Sequence, residues 1–229
     1  MKSIIISLLS LFIASSLCYS HDTLSHSTKF KRVVNLSFGM GISMSTTPSF
    51  NDYLINSVPN LNRDSVKNFS VGFEFFGGLE MELSRRFSVK LDYSYFFKSK
   101  TYYSIYTYNI NYNIHQPVLM GYYIISGAGY KFKLGGGVGY SFAFMTHNIE
   151  GGGAVDYHSG GPSIKGEVLF DMRLSGRLSS YISGFVSRNS LSKLKDANGN
   201  FLKDPITGNN VNLNGLAFGL RLGLNVKIN

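Results

Sequence analysis

The sequence is poor in several residue types, and each scarcity excludes a class of protein. A single cysteine in 229 residues excludes a disulfide-bonded scaffold and a site with several thiolate ligands. Charged residues make up only 15%, whereas about a quarter is usual for a soluble domain. After the first twenty residues no apolar run approaches the ~20 residues of a spanning helix. A closed β-barrel is therefore the membrane-compatible architecture that the sequence leaves open.

Residues 1–20 have the features of a secretory signal peptide. Lys2 supplies the positive start, residues 4–13 supply the apolar stretch, and small residues precede two candidate cleavage sites. We expect cleavage after either Ser16 or Ser20. The sequence therefore predicts export.

The short segment around the cleavage site carries two further expectations. Use of Cys18 as a lipoprotein acceptor is disfavoured, because Leu17 stands where a small residue should precede it. Residues 21–33 are polar and are predicted to form a flexible leader. A single domain is then expected over residues 34–229.

The end of the chain carries the clearest pattern. From Leu216 to Ile228 every second residue is apolar, and the residues between are small or polar, including Arg221 and Lys227. Strict alternation predicts a strand with one apolar and one polar face, since a helix would scatter these residues around its axis. A membrane barrel with its apolar face toward lipid and its polar face inward accounts for such a strand.

Similar alternation recurs along the chain and predicts an all-β fold, an eight-stranded antiparallel up-and-down transmembrane barrel. The predicted strands are residues 34–45, 68–83, 87–97, 106–122, 132–144, 164–174, 178–189 and 213–229. Long loops are predicted over 46–66, 148–162 and 190–212, and short connections over 84–86, 98–101, 126–131 and 175–177. Short turns on one side and long loops on the other are typical of outer-membrane barrels with both termini in the periplasm.

The fourth and seventh predicted strands have features that the others lack. In the fourth, the apolar residues are assigned to the lipid face and Asn109, Asn111, Asn113 and His115 to the interior. Pro117 lacks a ladder donor and predicts a bulge or a local break. The aromatic residues Tyr103, Tyr106, Tyr108 and Tyr112 are predicted to form an interfacial girdle. In the seventh strand, aromatic and aliphatic residues alternate out of phase, so its facing stays open.

Charged residues on the predicted inward faces balance in number. The predicted interior network consists of Glu74, Glu80, Glu82, Lys90, Asp92, Lys133, Lys165, Glu167, Asp171, Arg173, Arg221 and Lys227. Unpaired charge in a narrow interior is costly, whereas balanced charge can form a paired network. Eight strands enclose a space just wide enough for side chains to fill. The sequence thus predicts a plugged barrel rather than a pore.

The chain resembles the small eight-stranded outer-membrane barrels of the OmpA/OmpX type, often described as porin-like. The resemblance rests on strand count, loop rhythm, the stretch 116–119 (Gln-Pro-Val-Leu) and the glycine-rich stretch 135–142. It implies the outer membrane of a Gram-negative bacterium and insertion by the barrel-assembly machinery. One departure is the ending Lys-Ile-Asn, because such barrels usually end in an aromatic residue that the machinery recognises.

Our leading hypothesis is a non-enzymatic barrel whose exposed loops bind a surface partner or stabilise the envelope, without a cofactor. A small pore or ligand-carrying barrel is the second hypothesis. Expected partners are outer-membrane lipids, including lipopolysaccharide head groups, and not nucleic acid; a monomer is expected. Without Lys2 the chain has 21 Lys and Arg against 13 Asp and Glu, and the excess lies in turns and loops.

A lipid-modifying enzyme is the third hypothesis. It would need a histidine with a serine and a carboxylate at the membrane interface. The candidate residues are His147 and His158, with Glu150, Asp156 and Ser159 near them in sequence. His115 is interpreted as a hydrogen-bonded interior residue. Residues 196–200 are interpreted as an Asx/Gly turn rather than a calcium loop, because the glycine comes two positions too early.

Overall fold

The computed structural model of the protein describes residues 32–59, 61, 66, 71–104 and 106–228. The predicted signal peptide, 1–20, lies outside the described residues. So does the predicted leader up to residue 31, while Val33 already belongs to the first strand. Among the described residues no helix is long and apolar enough to cross a bilayer.

The described part of the chain is mostly strand. The strands are β1 (Val33–Thr46), β2 (Val71–Glu82), β3 (Phe87–Tyr103), β4 (Thr107–Ser126), β5 (Tyr130–Ile149), β6 (Gly153–Arg173), β7 (Leu178–Asn189), β8 (Lys195–Asp196) and β9 (Gly215–Lys227). A helix, α1 (Pro48–Ser57), lies between β1 and β2. The wall starts and ends at the side that carries the turns after β2, β4 and β6, which we call the inner end; the opposite side is the outer end.

Eight of the strands form a closed antiparallel barrel, which confirms the predicted fold. Each wall strand pairs with its neighbours along the chain, and β9 closes the wall by pairing with β7 and β1. The closing ladder runs from the pair Asn35–Lys227 to the pair Thr46–Leu216. β8 pairs with the outer part of β6 and adds no strand to the wall. Closure satisfies the backbone hydrogen bonds of every wall strand without water.

The facing of β9 agrees with its alternation. Leu220 and Leu222 are exposed on the outside of the barrel at 57% and 63%, whereas Arg221 between them is fully buried. Exposed apolar side chains recur on the outside of the other wall strands, for example Phe38 and Phe142. This outward apolar surface is the one that a lipid bilayer would cover.

Two predicted connections are strand instead of loop. Residues 98–101 belong to β3, which pairs with β4 as far as Tyr103 and Thr107. Of the predicted loop 148–162, residues 148–149 belong to β5 and residues 153–162 to β6, and the two strands pair as far as Ile149 and Gly153. Polar and glycine-rich composition suggested loops, but residues beyond the apolar band extend these ladders at the outer end.

The predicted loop 46–66 contains the helix α1. Pro48 stands at its start, where a missing N–H costs no hydrogen bond. Phe50, Tyr53 and Leu54 lie on one helical face and are buried. The loop prediction was wrong here because it weighed the proline and polar residues above this i, i+3, i+4 spacing.

The predicted facing of β4 is wrong. Tyr108, Ile110 and Tyr112 point inward and are buried, whereas Asn111 is exposed outside. His115 also faces outward, where its Nδ1 atom is hydrogen-bonded to the Tyr93 hydroxyl at 2.6 Å. Of the predicted tyrosine girdle, Tyr103 and Tyr106 are exposed and the other two are interior. The reason is tertiary: the outer end of this barrel is filled by apolar side chains, so the apolar face of β4 belongs inside.

The break predicted at Pro117 is present without a bulge. Pairing between β4 and β5 lapses at residues 116 and 117, but the register before and after it is the same. The open facing of β7 is resolved with Tyr181 and Phe185 inward. They lie opposite Gly223 and Gly219 of β9, where a Cβ would come within 2.6 and 2.3 Å of their rings. Glycine on the partner strand therefore makes room for the inward aromatic residues.

Candidate functional site

The middle of the barrel interior is filled by charged side chains around Asp92 and Arg221. The Arg221 guanidinium binds both carboxylate oxygens of Glu74, at 2.6 and 3.1 Å, and donates to Asp92 at 2.9 Å. Asp92 also contacts the ammonium groups of Lys90 and Lys165, each at 2.9 Å. All five side chains are buried, and the Glu167 carboxylate, 3.7 Å from the Arg221 guanidinium, balances the third cation, so these charges are neutralised within the interior rather than by bulk water.

Aromatic rings enclose the same arginine. The Arg221 guanidinium carbon lies 4.5 Å from the centroid of the Phe76 ring and 4.8 Å from that of Phe185. The Lys165 ammonium lies 4.7 Å from the Phe185 centroid. A planar guanidinium can stack on rings and bind a carboxylate through two parallel bonds, which a lysine in its place could not do.

Further pairs continue toward the inner end. The Lys133 ammonium contacts both oxygens of Glu80 at 2.7 Å. Glu167 accepts hydrogen bonds from Ser183, at 2.7 Å, and from the hydroxyl of Tyr122. Glu80 of β2 thus contacts β5, and Glu167 of β6 contacts both β4 and the neighbouring β7, so most of these pairs join strands that are not adjacent in the wall.

The twelve residues predicted for the interior fall into two groups. Ten are buried inside the barrel: Glu74, Glu80, Glu82, Lys90, Asp92, Lys133, Lys165, Glu167, Asp171 and Arg221. Arg173 and Lys227 are exposed at the inner end, where the wall stops and solvent reaches their side chains. Lys131, which the sequence assigned to a turn, instead contacts Glu82.

A concave mouth of about 290 Å³ opens at the inner end. The turns after β4 and β6 and the ends of β1, β2 and β9 surround it. The cations that line it are Lys131, Arg173, Arg177 and Lys227. Its two carboxylates have partners: Glu82 contacts Lys131, and Asp171 accepts from the Asn225 amide at 2.5 Å.

The outer end is closed by a cap, which we define as α1 together with residues 190–214. Its buried face joins inward residues of β3, β4 and β5 in an apolar cluster of 18 buried residues. Phe50 of α1 packs edge-on against Tyr112 of β4, with ring centroids 6.1 Å apart. The side-chain amide of Asn56 donates to Asp204 at 2.8 Å and joins the two parts of the cap.

The second part of the cap forms a small sheet of three segments. Bridges join Lys193 to Asn212, Lys195 to Phe201 and Lys203 to Asn210. The Asp196 carboxylate accepts the backbone N–H groups of residues 198 and 200, and Gly199 has φ of 85°, so the predicted Asx/Gly turn is confirmed. These bonds lower the pKa of Asp196, the Asn200 side-chain bond contributing most. The segment is thus held by its own hydrogen bonds.

Alternation within this sheet gives the cap two different faces. Leu194 and Leu202 are buried below, and the residues beside them project outward. The outward residues Lys193, Lys195, Phe201 and Lys203 form what we call the cationic face. The ammonium groups of Lys193 and Lys195 lie 5.6 and 5.1 Å from the Phe201 centroid. A cationic and aromatic surface of this kind favours an anionic partner.

The candidate catalytic residues are not brought together. His147 and Ser159 face inward, but lie four residues apart along the β5–β6 ladder, roughly 13 Å at the rise of a strand. His158 and Asp156 face outward on the opposite side of the wall, and the Thr146 hydroxyl donates to Asp156 at 2.6 Å. Strand alternation therefore separates the base, nucleophile and carboxylate that the enzyme hypothesis requires.

His147 belongs to the cap instead. Its Nδ1 atom is hydrogen-bonded to the Tyr53 hydroxyl of α1 at 3.0 Å, and its ring stacks on Tyr108. Burial lowers the pKa of His147 and raises the pKa of Tyr53 to about 12. The hydrogen bond between the imidazole and the phenol joins α1 to β5.

Comparison with known proteins finds similarity in structure only. No protein-family model matches the chain, and no curated protein sequence does. Neisserial surface protein A (NspA) is similar with a TM-score of 0.54 and 10% identity, over 86% of this chain and 97% of that one. The fold is that of a small outer-membrane β-barrel.

Two further structures have the same fold. A major outer membrane protein of Thermus thermophilus has a TM-score of 0.54 and 13% identity, over 85% of this chain and 99% of that one. Ail, the attachment invasion locus protein of Yersinia pestis, solved with the heparin analogue sucrose octasulfate, has a TM-score of 0.52 and 9% identity. The match covers 87% of this chain and 100% of Ail.

Sequence reasoning missed the cap and Lys131. The spacing of Phe50, Tyr53 and Leu54 after Pro48 was a usable signal for an amphipathic helix. The alternation through residues 193–195 and 201–203 was a usable signal for a two-faced segment. For Lys131 no sequence signal exists, because its contact with Glu82 joins residues 49 positions apart.

Proposed function

We propose that this chain is a closed, non-enzymatic barrel of the outer membrane of a Gram-negative bacterium, which binds a partner through its cap. The observation that carries the proposal is the two-faced cap, with an apolar core that fills the outer end and a cationic face above it. The exposed apolar band of the wall supports a membrane location. The outer-membrane barrels with the same fold support it further.

In this proposal both termini of the barrel lie in the periplasm and the cap faces outward. The ends of the wall lie at Val33 and Lys227, beside the three short turns. Short turns at the side of the termini and large segments at the other are the usual arrangement in outer-membrane barrels. Insertion would use the barrel-assembly machinery.

The first testable part of the proposal is that the filled interior blocks passage through the barrel. Between the apolar cluster and the charged pairs, side chains of the wall, Glu74 and Phe185 among them, line a small cavity of about 30 Å³. We expect purified protein in a planar bilayer to give no steady conductance. A stable, reproducible channel would favour the second hypothesis, a small pore.

Binding by the cationic face is the second part, and we propose a sulfated polyanion as its partner class. Lys193, Lys195 and Lys203 are exposed on one side, and the carboxylate of the neighbouring Asp196 is occupied by hydrogen bonds within its own turn. Ail, which shares the fold, was solved with a sulfated ligand. Attraction to a polyanion through exposed lysines would weaken as salt screens it.

Immobilised heparin tests this with a charge-matched control. Detergent-solubilised wild type should be retained and elute with salt, whereas Lys193→Gln/Lys195→Gln should elute much earlier. Arg85→Gln/Arg86→Gln removes the same charge at the inner end and should elute with the wild type. Absence of retention, or equally early elution of both double variants, would refute a site on the cationic face.

Lipid contact is a separate part of the proposal, and it treats the protein as a monomer. Arg188 is exposed on the outside of β7, two residues beyond Val186 and on the same lipid-facing side. A guanidinium at this height lies beside lipid head groups, including the phosphates of lipopolysaccharide. Arg188→Gln should reduce stabilisation of the folded barrel by added lipopolysaccharide, measured as the temperature of the shift between folded and unfolded gel bands.

A further inference from the structure

The inner mouth has an excess of positive charge without an internal partner. Within the described part of the chain, Lys131 is the only one of its four cations that pairs with a carboxylate, namely Glu82. Among the described residues no ion pair joins Arg173, Arg177 or Lys227 to an acidic side chain. Three cations therefore face one concave space whose carboxylates are already occupied.

The mouth also offers neutral hydrogen-bond donors. The hydroxyls of Ser126, Ser175 and Ser179 line it together with the glycine-containing turn after β4. Ser175 accepts the N–H of Leu178, which leaves its own O–H free to donate to a ligand. Guanidinium groups and hydroxyls arranged around a concavity are the donors that tetrahedral and planar oxyanions require.

We propose that the inner mouth is a binding site for a small phosphate-bearing anion. The volume of about 290 Å³ is at the lower limit of ordinary ligand pockets, so a phosphate with a small substituent fits and a macromolecule does not. Arg173 and Arg177 come from the ends of one turn and supply two guanidinium forks. Lys227 approaches from β9 and supplies a third positive charge.

The phosphate has two sources with the same chemistry. One is a soluble phosphate compound on the inner side of the membrane. The other is the head group of an anionic phospholipid in the leaflet that surrounds the inner end, where Leu174 and Ile228 are exposed to the outside. The site shares no residue with the cap. A failed test of the inner mouth would therefore leave the proposed binding by the cationic face unaffected, and the reverse also holds.

The test uses full-length protein in a phosphate-free, non-ionic detergent, titrated with inorganic phosphate by calorimetry at low ionic strength. Wild type should show one saturable site. Arg173→Gln/Arg177→Gln should bind at least about tenfold more weakly, because two charge-assisted hydrogen bonds are lost. Arg85→Gln/Arg86→Gln changes the same charge in the turn after β2, outside the mouth, and should bind as the wild type does.

The position of binding is checked by NMR on the same sample. Phosphate should shift the amide signals of Gly127, Gly129 and Gly176, which line the mouth, and leave Gly151 at the outer end unchanged. No saturable binding by wild type, equal weakening in both double variants, or shifts outside the mouth would each overturn the proposal. Both double variants must show the folded, heat-modifiable gel band for the comparison to count.

Nanodiscs then distinguish the two sources. If anionic phospholipid supplies the phosphate, discs that contain phosphatidylglycerol should abolish the phosphate-induced shifts that zwitterionic discs permit. If the ligand is soluble, both kinds of disc should permit the same shifts. Either outcome supports the site, and absence of shifts in both kinds of disc would overturn it.

Discussion

The outer end and the middle of this barrel are filled by opposite kinds of side chain within one continuous wall. At the outer end the cap contributes Phe50, Leu54 and Leu194 to an apolar core of 18 buried residues. In the middle, Arg221 and Asp92 are the centre of a set of buried ion pairs. Both fillings close the barrel, so closure does not depend on which chemistry supplies it.

The difference lies in how each filling tolerates change. An apolar core loses stability in proportion to the contacts and volume removed. A buried ion-pair set reacts more sharply, because removal of one partner leaves the others charged and without compensation. We therefore expect single changes to be least tolerated in the middle, and we expect the cap to open while the wall persists.

The largest expected effect is at Arg221. Arg221→Ala should destabilise the folded barrel by about 3–5 kcal/mol, because Glu74 would stay buried without its counter-ion and Asp92 would lose one of its three cationic partners. Urea unfolding in lipid vesicles measures it. Arg188→Ala, exposed on the outside of β7, is the matched control and should change stability little. Equal losses would contradict the assigned role of the ion pairs.

The next effect tests the cap and the facing of β4. Ile110→Ala should cost about 2–5 kcal/mol of local stability, since Ile110 is fully buried in the apolar cluster. Trypsin cleavage after Lys203 should become faster while the heat-modifiable barrel band is retained. Asn111→Ala, on the neighbouring outward position, should behave as wild type. The reverse order would show that the apolar face of β4 points to lipid after all.

A somewhat smaller effect is expected on the lipid-facing surface of the wall, in comparison with the apolar and the charged parts of the interior. Leu220→Lys should destabilise folding into bilayers by roughly 2–4 kcal/mol if Leu220 lies near the midplane. Ile206→Lys, on the exposed surface of the cap, is the control and should cost almost nothing. Vesicle unfolding titrations give both values. A costly change at Ile206 would place this part of the cap in contact with lipid.

The smallest expected effect is a pH response confined to the cap. The pKa of His147 is lowered by burial from its usual 6.5, so the opened cap binds a proton more readily than the closed one. Its contribution to stability is complete above about pH 6.5 and is lost as the pH falls toward the folded pKa. Cleavage of the cap should therefore increase between about pH 7.5 and about pH 5.5.

Two glutamine variants isolate this response. In His147→Gln the cap should show no such increase beyond the protease's own pH dependence. His158→Gln, which replaces an exposed histidine on the outside of β6, should retain the wild-type response. An unchanged response in His147→Gln would assign the pH dependence to another group.

Prediction from sequence succeeded where local pattern and environment coincide. The alternation of β9 identified the strand, its facing and the inward position of Arg221. It did so because the apolar face of β9 lies on the outside and its polar face lies in the interior, as expected for a membrane barrel. The same rule failed for β4, where an equally clear alternation faces the other way. Alternation shows that two faces differ, but it does not show which one is inside.

The hypothesis that the candidate catalytic residues form one site is not supported, for a related reason. His147 and His158 are close in sequence, and so are Asp156 and Ser159, yet β5 and β6 distribute them over both sides of the wall. The contact of Tyr53 with His147 joins residues 94 positions apart. Along an extended strand each residue adds about 3.3 Å, and successive side chains point to opposite faces. Residues that are close in sequence therefore often do not share a site.

The sequence by itself determined the closed antiparallel barrel, because strand alternation and turn spacing are local properties that backbone geometry converts directly into a wall. Only the tertiary structure decided what fills that wall. The outer end is apolar because α1 and residues 190–214 fold back over it and bring their own core, and the inward face of β4 complements that core. The ion pairs of the middle depend on which strands face one another across the interior. A local sequence pattern does not contain this information, because most of the paired residues are far apart in sequence.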